Sequence, residues 1–221
     1  MARLISESGK RKQRRGTGEG ANYRPWILAR ELNSTGTTAN INDWKHGRQI
    51  QLLSAGEEMY YYLLRWDDAV TDIREQYPLD IDATKRIAGA VGIRHPSKTM
   101  TTDLLVTRGK TDVAYSVKSS RKDVDYTLSE TAEEEKLAKR AAEKLAVEKM
   151  YWQERGVEWK LVFKEDLNTD YINNIRRVVV YYDEASVHDE VSRIKHLIAT
   201  KAITVDMSKP IDYQKLIQQY M

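Results

Sequence analysis

The sequence predicts an α/β protein in which helices flank a mixed β-sheet and a small, mainly α module follows at the C-terminal end. Two kinds of apolar spacing indicate this class. Strand-like alternation occupies residues 101–106, 112–118 and 158–164. Helical spacing occupies residues 55–66 and 129–155. A chain of 221 residues is long enough to bury a core around such a sheet.

The first part of the chain is expected to pass from a flexible arm into a helix. Residues 1–22 are basic and lack apolar periodicity, which predicts a flexible N-terminal arm. Short apolar pieces between polar turns then predict short strands up to Ile50. Ser54 is a favourable N-cap residue, and the apolar residues after it predict a helix over 55–66.

The middle of the chain carries the predicted strands. A proline near the end of residues 70–79 favours extended backbone there. A short helix is expected over 83–91. The segment around Asp103 and residues 112–118 are predicted to pair as a hairpin, in which Asp103 and Leu104 face opposite sides of the sheet.

The last part of the chain is predicted to be a separate small module over residues 166–221. It contains a helix at about 186–200, a short strand over 202–205 and a helix from Tyr213. Two helices with a small strand are compatible with a winged-helix-like module. Residues 23–165 would then form the main domain.

Basic residues are concentrated near the start of the chain. Residues 1–55 carry ten Lys or Arg against four Asp or Glu, although the net charge of the whole chain is only +3. Such an arm suits contact with DNA phosphates, and a solvated tail without a partner is the alternative. The candidate DNA-binding residues are Lys10, Arg11, Lys12, Arg14, Arg15 and Arg24.

Cysteine usage and hydropathy indicate where the protein works. The chain contains no cysteine, which excludes disulfides, zinc thiolate sites and thiol nucleophiles and suits a reducing compartment. No apolar run approaches the roughly 20 residues that span a bilayer, and no secretory signal is recognisable. We therefore expect a cytoplasmic protein without a membrane partner.

Two carboxylates and a lysine follow one another in an order that suits a metal-dependent DNA-cutting site. Glu57 lies at the start of the predicted helix, Asp103 lies on a strand, and Ser116-Val117-Lys118 ends the next strand. Hydrolysis of a phosphodiester needs an activated water and a neutralised leaving oxygen, and two Mg²⁺ ions about 4 Å apart can supply both. Mg²⁺ prefers oxygen ligands and retains several waters, so few protein oxygens suffice.

These residues can divide the chemistry between them. Asp103 can bridge two ions and Glu57 can hold one, while the Val117 carbonyl and the Ser116 hydroxyl are further oxygen donors. Of these, Ser116 is the weakest candidate ligand. Lys118 shares a strand face with Ser116 and would position the attacking water or stabilise the pentacovalent phosphorus. Mn²⁺ is expected to substitute for Mg²⁺.

Each of these residues also has a purely structural alternative. Ser54 and Glu57 have the spacing of a capping box, in which Glu57 bonds only to the cap amide. Asp103 alone could accept amides of a turn, and Lys118 could be a solvated lysine at a strand edge. Ser116 could be a small packing residue. The order of the whole set favours a nuclease site more than any one member does.

Glu148 is a further candidate. It lies along the apolar stripe of the predicted helix 129–155, unlike the acidic residues near the start of that helix. It could support the metal site from behind the ligands. The spacing favours the alternative, a salt bridge at the edge of the helix.

Longer motifs connect these residues to a known family. The motifs are Asn22-Tyr23-Arg24-Pro25-Trp26, Asp72-Ile73-Arg74-Glu75-Gln76-Tyr77-Pro78-Leu79, Gly92-Ile93-Arg94-His95-Pro96 and Thr102-Asp103-Leu104-Leu105-Val106. Over about residues 20–165 the chain resembles the TnsA endonucleases, which are subunits of heteromeric bacterial cut-and-paste transposases. The motif from Asp72 to Leu79 is the most specific of the set.

The resemblance implies a fold and a site. Residues 23–165 would be a catalytic domain with the restriction-endonuclease (PD-(D/E)xK) fold, in which Glu57, Asp103 and Lys118 occupy the catalytic positions. The family commonly has Gln where Ser116 stands, so water or the Val117 carbonyl would replace that ligand.

The resemblance also implies a task. TnsA subunits cut the strand that is not transferred, near the 5′ ends of the transposon, beside a TnsB-type recombinase and a TnsC-type AAA+ regulator. A free-standing nuclease of the same fold and a non-catalytic DNA-binding adaptor are the alternatives.

Overall fold

The computed structural model of the chain describes residues 5–31 and 38–221, among which seven α-helices and six β-strands occur. The strands are β1 (Ala39–Asn42), β2 (Gln49–Leu52), β3 (Val70–Pro78), β4 (Thr101–Arg108), β5 (Thr111–Lys118) and β6 (Glu158–Phe163). The helices are α1 (Glu7–Lys12), α2 (Ala55–Trp66), α3 (Ile81–Ala90), α4 (Ala132–Gln153), α5 (Thr169–Val179), α6 (Glu190–Ala199) and α7 (Tyr213–Tyr220).

The main sheet has the strand order β3-β4-β5-β6. The first two pairings are antiparallel and the pairing of β5 with β6 is parallel, so the sheet is mixed. A parallel pairing needs a long crossover, and α4 supplies it. The predicted α/β class with a mixed sheet and flanking helices is confirmed. None of the described helices is long and apolar enough to cross a membrane.

The two faces of the sheet bury different helices. Leu104 and Val106 of β4 pack in one core cluster with Tyr61 of α2. Leu105 packs on the opposite face in a cluster with Val147 of α4. This alternation is the one that the period-two spacing predicts. The site residues at the ends of β4 and β5 therefore lie between α2 and α4.

The N-terminal segment differs from the predicted flexible arm. Residues 7–12 form α1, and Arg15 is buried in a double hydrogen bond to Glu31, with both N···O distances 2.8 Å. Gly16 has a φ of 73°, and a Cβ there would lie 2.2 Å from the ring of Pro78. The described part of this segment is thus packed against the main domain; residues 1–4 of the predicted arm lie outside the described residues.

Contacts with β3 give the physical reason for this packing. β3 is an edge strand, and its free backbone groups need partners. The Trp26 N–H donates to the Gln76 carbonyl at 3.2 Å. The Tyr23 hydroxyl donates to the Glu75 carbonyl at 3.0 Å. Sequence periodicity does not register such a segment, because it follows an edge without forming a regular strand.

The C-terminal module is helical. Residues 166–221, all of which the structure describes, contain α5, α6 and α7 and no strand. The predicted strand over 202–205 is wrong, and the winged-helix-like arrangement lacks its wing. Val205 instead packs onto the core of the module, and the Asn174 side chain donates to the carbonyls of Met207 and Lys209 at 3.0 and 2.7 Å.

Candidate active site

Glu57, Asp103 and Lys118 line one cavity of about 620 Å³. Glu57 comes from the first turn of α2, Asp103 from β4 and Lys118 from the last position of β5. The three residues that the sequence predicts as catalytic are therefore brought together, although the chain separates the first from the last by many residues. Val117 lines the same cavity.

The Glu57 carboxylate is held on two sides. Its Oε2 accepts from the Leu53 N–H at 2.9 Å, and its Oε1 accepts from the Ser54 hydroxyl at 3.0 Å. Ser54 caps α2 by accepting from the Glu57 N–H at 3.1 Å. Glu57 does not bond to the cap amide of Ser54 in the manner of a capping box; its carboxylate is oriented at the start of the helix, where it borders the cavity.

Asp103 is oriented by the neighbouring strand. Its Oδ2 accepts from the Val117 N–H at 2.8 Å, so it bonds to a strand amide and not to a turn. Burial raises the pKa of Asp103 above its ordinary value, and the nearby Lys118 opposes this rise. Burial and the charge of Asp103 raise the pKa of Glu57 to about 8. Burial and the neighbouring Asp103 therefore both disfavour the charged form of Glu57.

Lys118 supplies a positive charge beside these carboxylates. Its charge opposes the burial that raises the pKa of Glu57 and Asp103. Among the residues that the structure describes, no carboxylate lies within ion-pair distance of its ammonium group. One lysine does not balance two carboxylates, which leaves the cavity suited to a further cation.

Glu148 lies behind this site in a network of hydrogen bonds. Its Oε1 accepts from the Ser116 hydroxyl at 2.8 Å and from the Thr102 hydroxyl at 2.7 Å. Trp159 donates to the Ser116 hydroxyl at 3.1 Å, and Trp152 donates to the Thr102 hydroxyl at 2.7 Å. The Ser116 side chain is thus engaged by protein groups. Burial, with the charge of Asp103, raises the pKa of Glu148 to about 7.

The favoured alternative for Glu148 is therefore wrong. Glu148 is only 5% exposed, and among the described residues it forms no ion pair. A salt bridge at the helix edge would need an exposed carboxylate near a basic side chain. Glu148 instead borders a second cavity, of about 510 Å³, together with Asp103 and Lys118.

Gln76 is a site residue to which the sequence analysis assigned no role. Its Nε2 donates to Glu57 Oε2 at 3.1 Å, and its Oε1 accepts from the Thr101 hydroxyl at 3.2 Å. The residue is 2% exposed and has a φ of 49°, which is uncommon for a residue other than glycine. Its place in the Asp72-to-Leu79 motif was the available signal. The left-handed backbone aims its side chain at Glu57.

Comparison with known proteins decides the family. The family model of the TnsA-like endonuclease N-terminal region matches residues 67–164 of this chain. The chain is also 31% identical over 201 residues to the transposon Tn7 transposition protein TnsA of Escherichia coli, covering 86% of this chain and 69% of that protein. The chain belongs to the TnsA-like endonuclease family. The match over 67–164 includes Asp103, Lys118 and Glu148, whereas Glu57 precedes it.

The oxygen donors of this TnsA-like site fit a magnesium ion. Mg²⁺ is usually held by one or two carboxylates and keeps several waters, and Glu57 and Asp103 offer two carboxylates at an open cavity. Burial is the main cause of their raised pKa values, and a divalent cation bound beside them would favour the charged carboxylates. Among the described residues no group of three or more His, Asp or Glu could hold a metal, so a site at this place would depend on these two carboxylates.

The predicted DNA-binding residues of this TnsA-like chain separate into two groups. Arg15 is buried and bonded to Glu31, which removes it from the surface that DNA could reach. Lys10 is half-buried, with its ammonium 5.4 Å from the ring centre of Trp26. The remaining candidates, which are Arg11, Lys12, Arg14 and Arg24, are exposed.

Proposed function

We propose that the chain is a magnesium-dependent DNA endonuclease that cuts the non-transferred strand near the 5′ ends of a transposon. One observation carries the proposal: Glu57, Asp103 and Lys118 meet at a single open cavity. Carboxylates can hold the metal ion of a metal-assisted phosphodiester hydrolysis, and a lysine can stabilise the charge that develops on the phosphate. Membership of the TnsA-like family supports a nuclease at this place.

In this proposal Glu57 and Asp103 hold the metal, with Val117 as a further oxygen donor through its carbonyl. Mg²⁺ bound there, or Mn²⁺ in its place, would supply an activated water and positive charge beside the phosphate oxygens. Two ions would be held here, as in two-metal phosphotransfer sites. Ser116 does not enter the ligand set, because its hydroxyl already bonds to Glu148.

The other residues of the site orient the reacting groups. The Val117 N–H fixes one oxygen of Asp103, and Gln76 with Leu53 fixes one oxygen of Glu57. Lys118 holds a fixed positive charge where the phosphate oxygens would gain negative charge during attack. Glu148 supports the ends of β4 and β5 from behind, through Thr102 and Ser116.

The proposed partners are transposon-end DNA, a TnsB-type recombinase that acts on the 3′ ends and a TnsC-type AAA+ regulator. The similar Escherichia coli protein is a transposition protein, which supports assembly with a transposition machinery. A subunit that cuts only one strand needs a partner for the other strand. We therefore expect weak cutting by the chain alone and strong cutting in the assembled complex.

Strand-specific mapping of cuts at transposon ends tests this function. The chain is combined with its TnsB-type partner and Mg²⁺, and the position of every cut is read on both strands. We expect cuts at the 5′ ends with the wild-type chain, and a loss of about a thousandfold in their rate with Asp103→Ala.

A control variant separates chemistry from folding. Asp170→Ala changes an exposed aspartate at the start of α5, in the C-terminal module, and should cut like the wild type. Assembly with the partner, followed by gel filtration, should be the same for all three chains. Undiminished 5′ cutting by Asp103→Ala would refute the proposed function.

A further inference from the structure

Two cavities meet at the candidate active site. The cavity of about 620 Å³ extends toward Glu57, and the cavity of about 510 Å³ extends toward residues 96–101 and the middle of α4. Asp103 and Lys118 line both cavities. The groove therefore continues past the site on two sides, and a chain-like ligand could lie across it.

The two sides of this groove differ in charge. The charged residues that line the side toward Glu57 are Glu57, Asp103, Lys118, Lys122, Asp123 and Glu134. Those that line the other side are Lys98, Asp103, Lys118, Arg140, Lys144 and Glu148. The first side is mainly acidic and the second is mainly basic. We call the second side the basic arm of the groove; it is distinct from the N-terminal arm of the sequence analysis.

The positive charges of the basic arm are only partly balanced. Arg140 pairs with Glu143 at 2.7 Å. Lys98 and Lys144 have no carboxylate within ion-pair distance among the residues that the structure describes. Partial burial, Arg140 and Lys118 all lower the pKa of Lys144. Neighbouring like charges without counterions are the arrangement that an anionic ligand stabilises.

The N-terminal segment extends the basic arm outward. Glu7 of α1 accepts from the Thr99 N–H at 3.1 Å, next to Lys98. This contact places α1, with its exposed Arg11 and Lys12, beside the loop that forms the wall of the arm. Positive charge therefore continues from the site to the protein surface, as the backbone of a nucleic acid requires.

We propose that Lys98, Arg140 and Lys144 bind backbone phosphates of the DNA strand that lies across Asp103. This inference rests on the proposed function and adds a direction to it. The acidic side of the groove favours the metal cation, while the basic arm favours the phosphates on one side of the cut. The contacts are to the backbone, so they hold DNA of any sequence in position.

Equilibrium binding of a fluorescein-labelled DNA duplex to the full chain tests the inference. Fluorescence anisotropy is measured without divalent ions, so that no cutting occurs, over a range of salt concentrations. Each lysine–phosphate contact contributes about one unit to the slope of log affinity against log salt. We expect the double variant Lys98→Gln/Lys144→Gln to lower that slope by about 2, equally for two unrelated duplex sequences.

A matched control removes the same charge elsewhere. Lys209→Gln/Lys215→Gln changes two exposed lysines near the C-terminal end that line neither cavity of the groove. This control should bind with the wild-type slope. Three outcomes would each overturn the inference. The slope could be unchanged in Lys98→Gln/Lys144→Gln, the control could lose as much slope, or the wild-type chain could fail to bind DNA at low salt.

A negative result in the binding experiment can be distinguished from a negative result in the cleavage experiment. If the basic arm binds no phosphate but the assembled complex still cuts at the 5′ ends, only the inference on the arm is lost. If DNA binds through Lys98 and Lys144 but Asp103→Ala cuts like the wild type, the arm remains and the proposed function is lost.

Discussion

Two groups of buried carboxylates in this protein have opposite surroundings. Asp43 and Glu75 are 1% and 0% exposed. Arg65 donates to Asp43 at 2.6 Å, and Arg48 donates to both oxygens of Glu75 at 2.8 and 2.7 Å. Glu57 and Glu148 are 6% and 5% exposed, but no arginine lies within ion-pair distance of either among the described residues.

This difference separates scaffold from site. A carboxylate that meets a guanidinium inside the protein is neutralised by the fold itself, and removal of one partner leaves a buried charge. Glu57 and Glu148 are buried without that neutralisation, which lowers the stability of the fold. Strongly perturbed carboxyl groups at an open cavity are typical of functional sites, where a ligand supplies the missing charge. Buried acidic residues thus have two roles in this protein: some pair with arginine in the scaffold, and others form the candidate site.

The largest expected effect concerns the scaffold pair. Glu75→Gln leaves the Arg48 guanidinium, which is 8% exposed, without its carboxylate. We expect the free energy of unfolding, measured with urea, to fall by about 3–5 kcal/mol. Glu58→Gln is the control, because its pair with Arg176 is more exposed and should cost less than about 1 kcal/mol. Equal losses in both variants would mean that burial does not distinguish the pairs.

The second prediction concerns pH and the site carboxylates. The folded pKa values of Glu57 and Glu148 are raised to about 8 and about 7, whereas the unfolded chain loses these protons near pH 4.5. Between these values the folded chain binds more protons than the unfolded chain, so stability falls as pH rises. We expect a loss on the order of 1 kcal/mol per pH unit from about pH 5 to pH 8 without metal.

Matched measurements make this prediction specific. Glu57→Gln removes one titrating group and should flatten the decrease of the melting temperature between pH 5 and pH 8. Mg²⁺ should raise the melting temperature of the wild type more at pH 8 than at pH 6, because it binds the ionised carboxylates. A melting temperature that rises over this pH range in the wild type without metal would contradict the expected sign.

The smallest effect is expected at Gln76. Gln76→Leu removes the amide that donates to Glu57 and should lower cleavage about tenfold, as losses of groups that orient metal ligands do. The readout is the Mg²⁺ concentration for half-maximal cutting, which should rise. Gln51→Leu is the control, because its side chain accepts from the Ala29 N–H away from the cavity. An unchanged Mg²⁺ requirement would show that Gln76 only shapes the backbone.

Local patterns predicted much of the fold and the centre of the site. The helix over 55–66 has the predicted ends because Ser54 caps it and its apolar spacing is regular. The alternation around Asp103 correctly separated the faces of β4. Glu57, Asp103 and Lys118 were predicted together, and they line one cavity. Each of these predictions depends on residues close in sequence or on a motif with a fixed order.

Contacts between distant residues explain what the sequence did not predict. Glu148 is buried and accepts hydrogen bonds from Thr102 and Ser116, which lie 46 and 32 residues away in the sequence. The spacing of residues within its own helix does not predict these partners, because they lie on strands β4 and β5. The role of Gln76 likewise depends on a left-handed backbone conformation, which sequence periodicity does not report.

The C-terminal module gives a second case. Helix α5 was not predicted, since its Asn173-Asn174 pair and its β-branched residues favour helices poorly. Ile172, Ile175 and Val178 are nevertheless almost fully buried, so packing stabilises this helix. Residues 202–205 have the composition of a strand but no strand beside them to pair with, and composition alone cannot supply one.

The crossover of α4 between β5 and β6 also has a consequence for the timing of synthesis. A ribosome adds Glu57, Asp103 and Lys118 to the growing chain before it adds any residue of β6. The four-stranded sheet beneath the site is complete only when β6, which ends at Phe163, has paired with β5. This parallel pairing joins distant parts of the chain and is therefore a slow step of folding. The nascent polypeptide thus carries all three catalytic candidates before the strand that completes the sheet beneath them has been made.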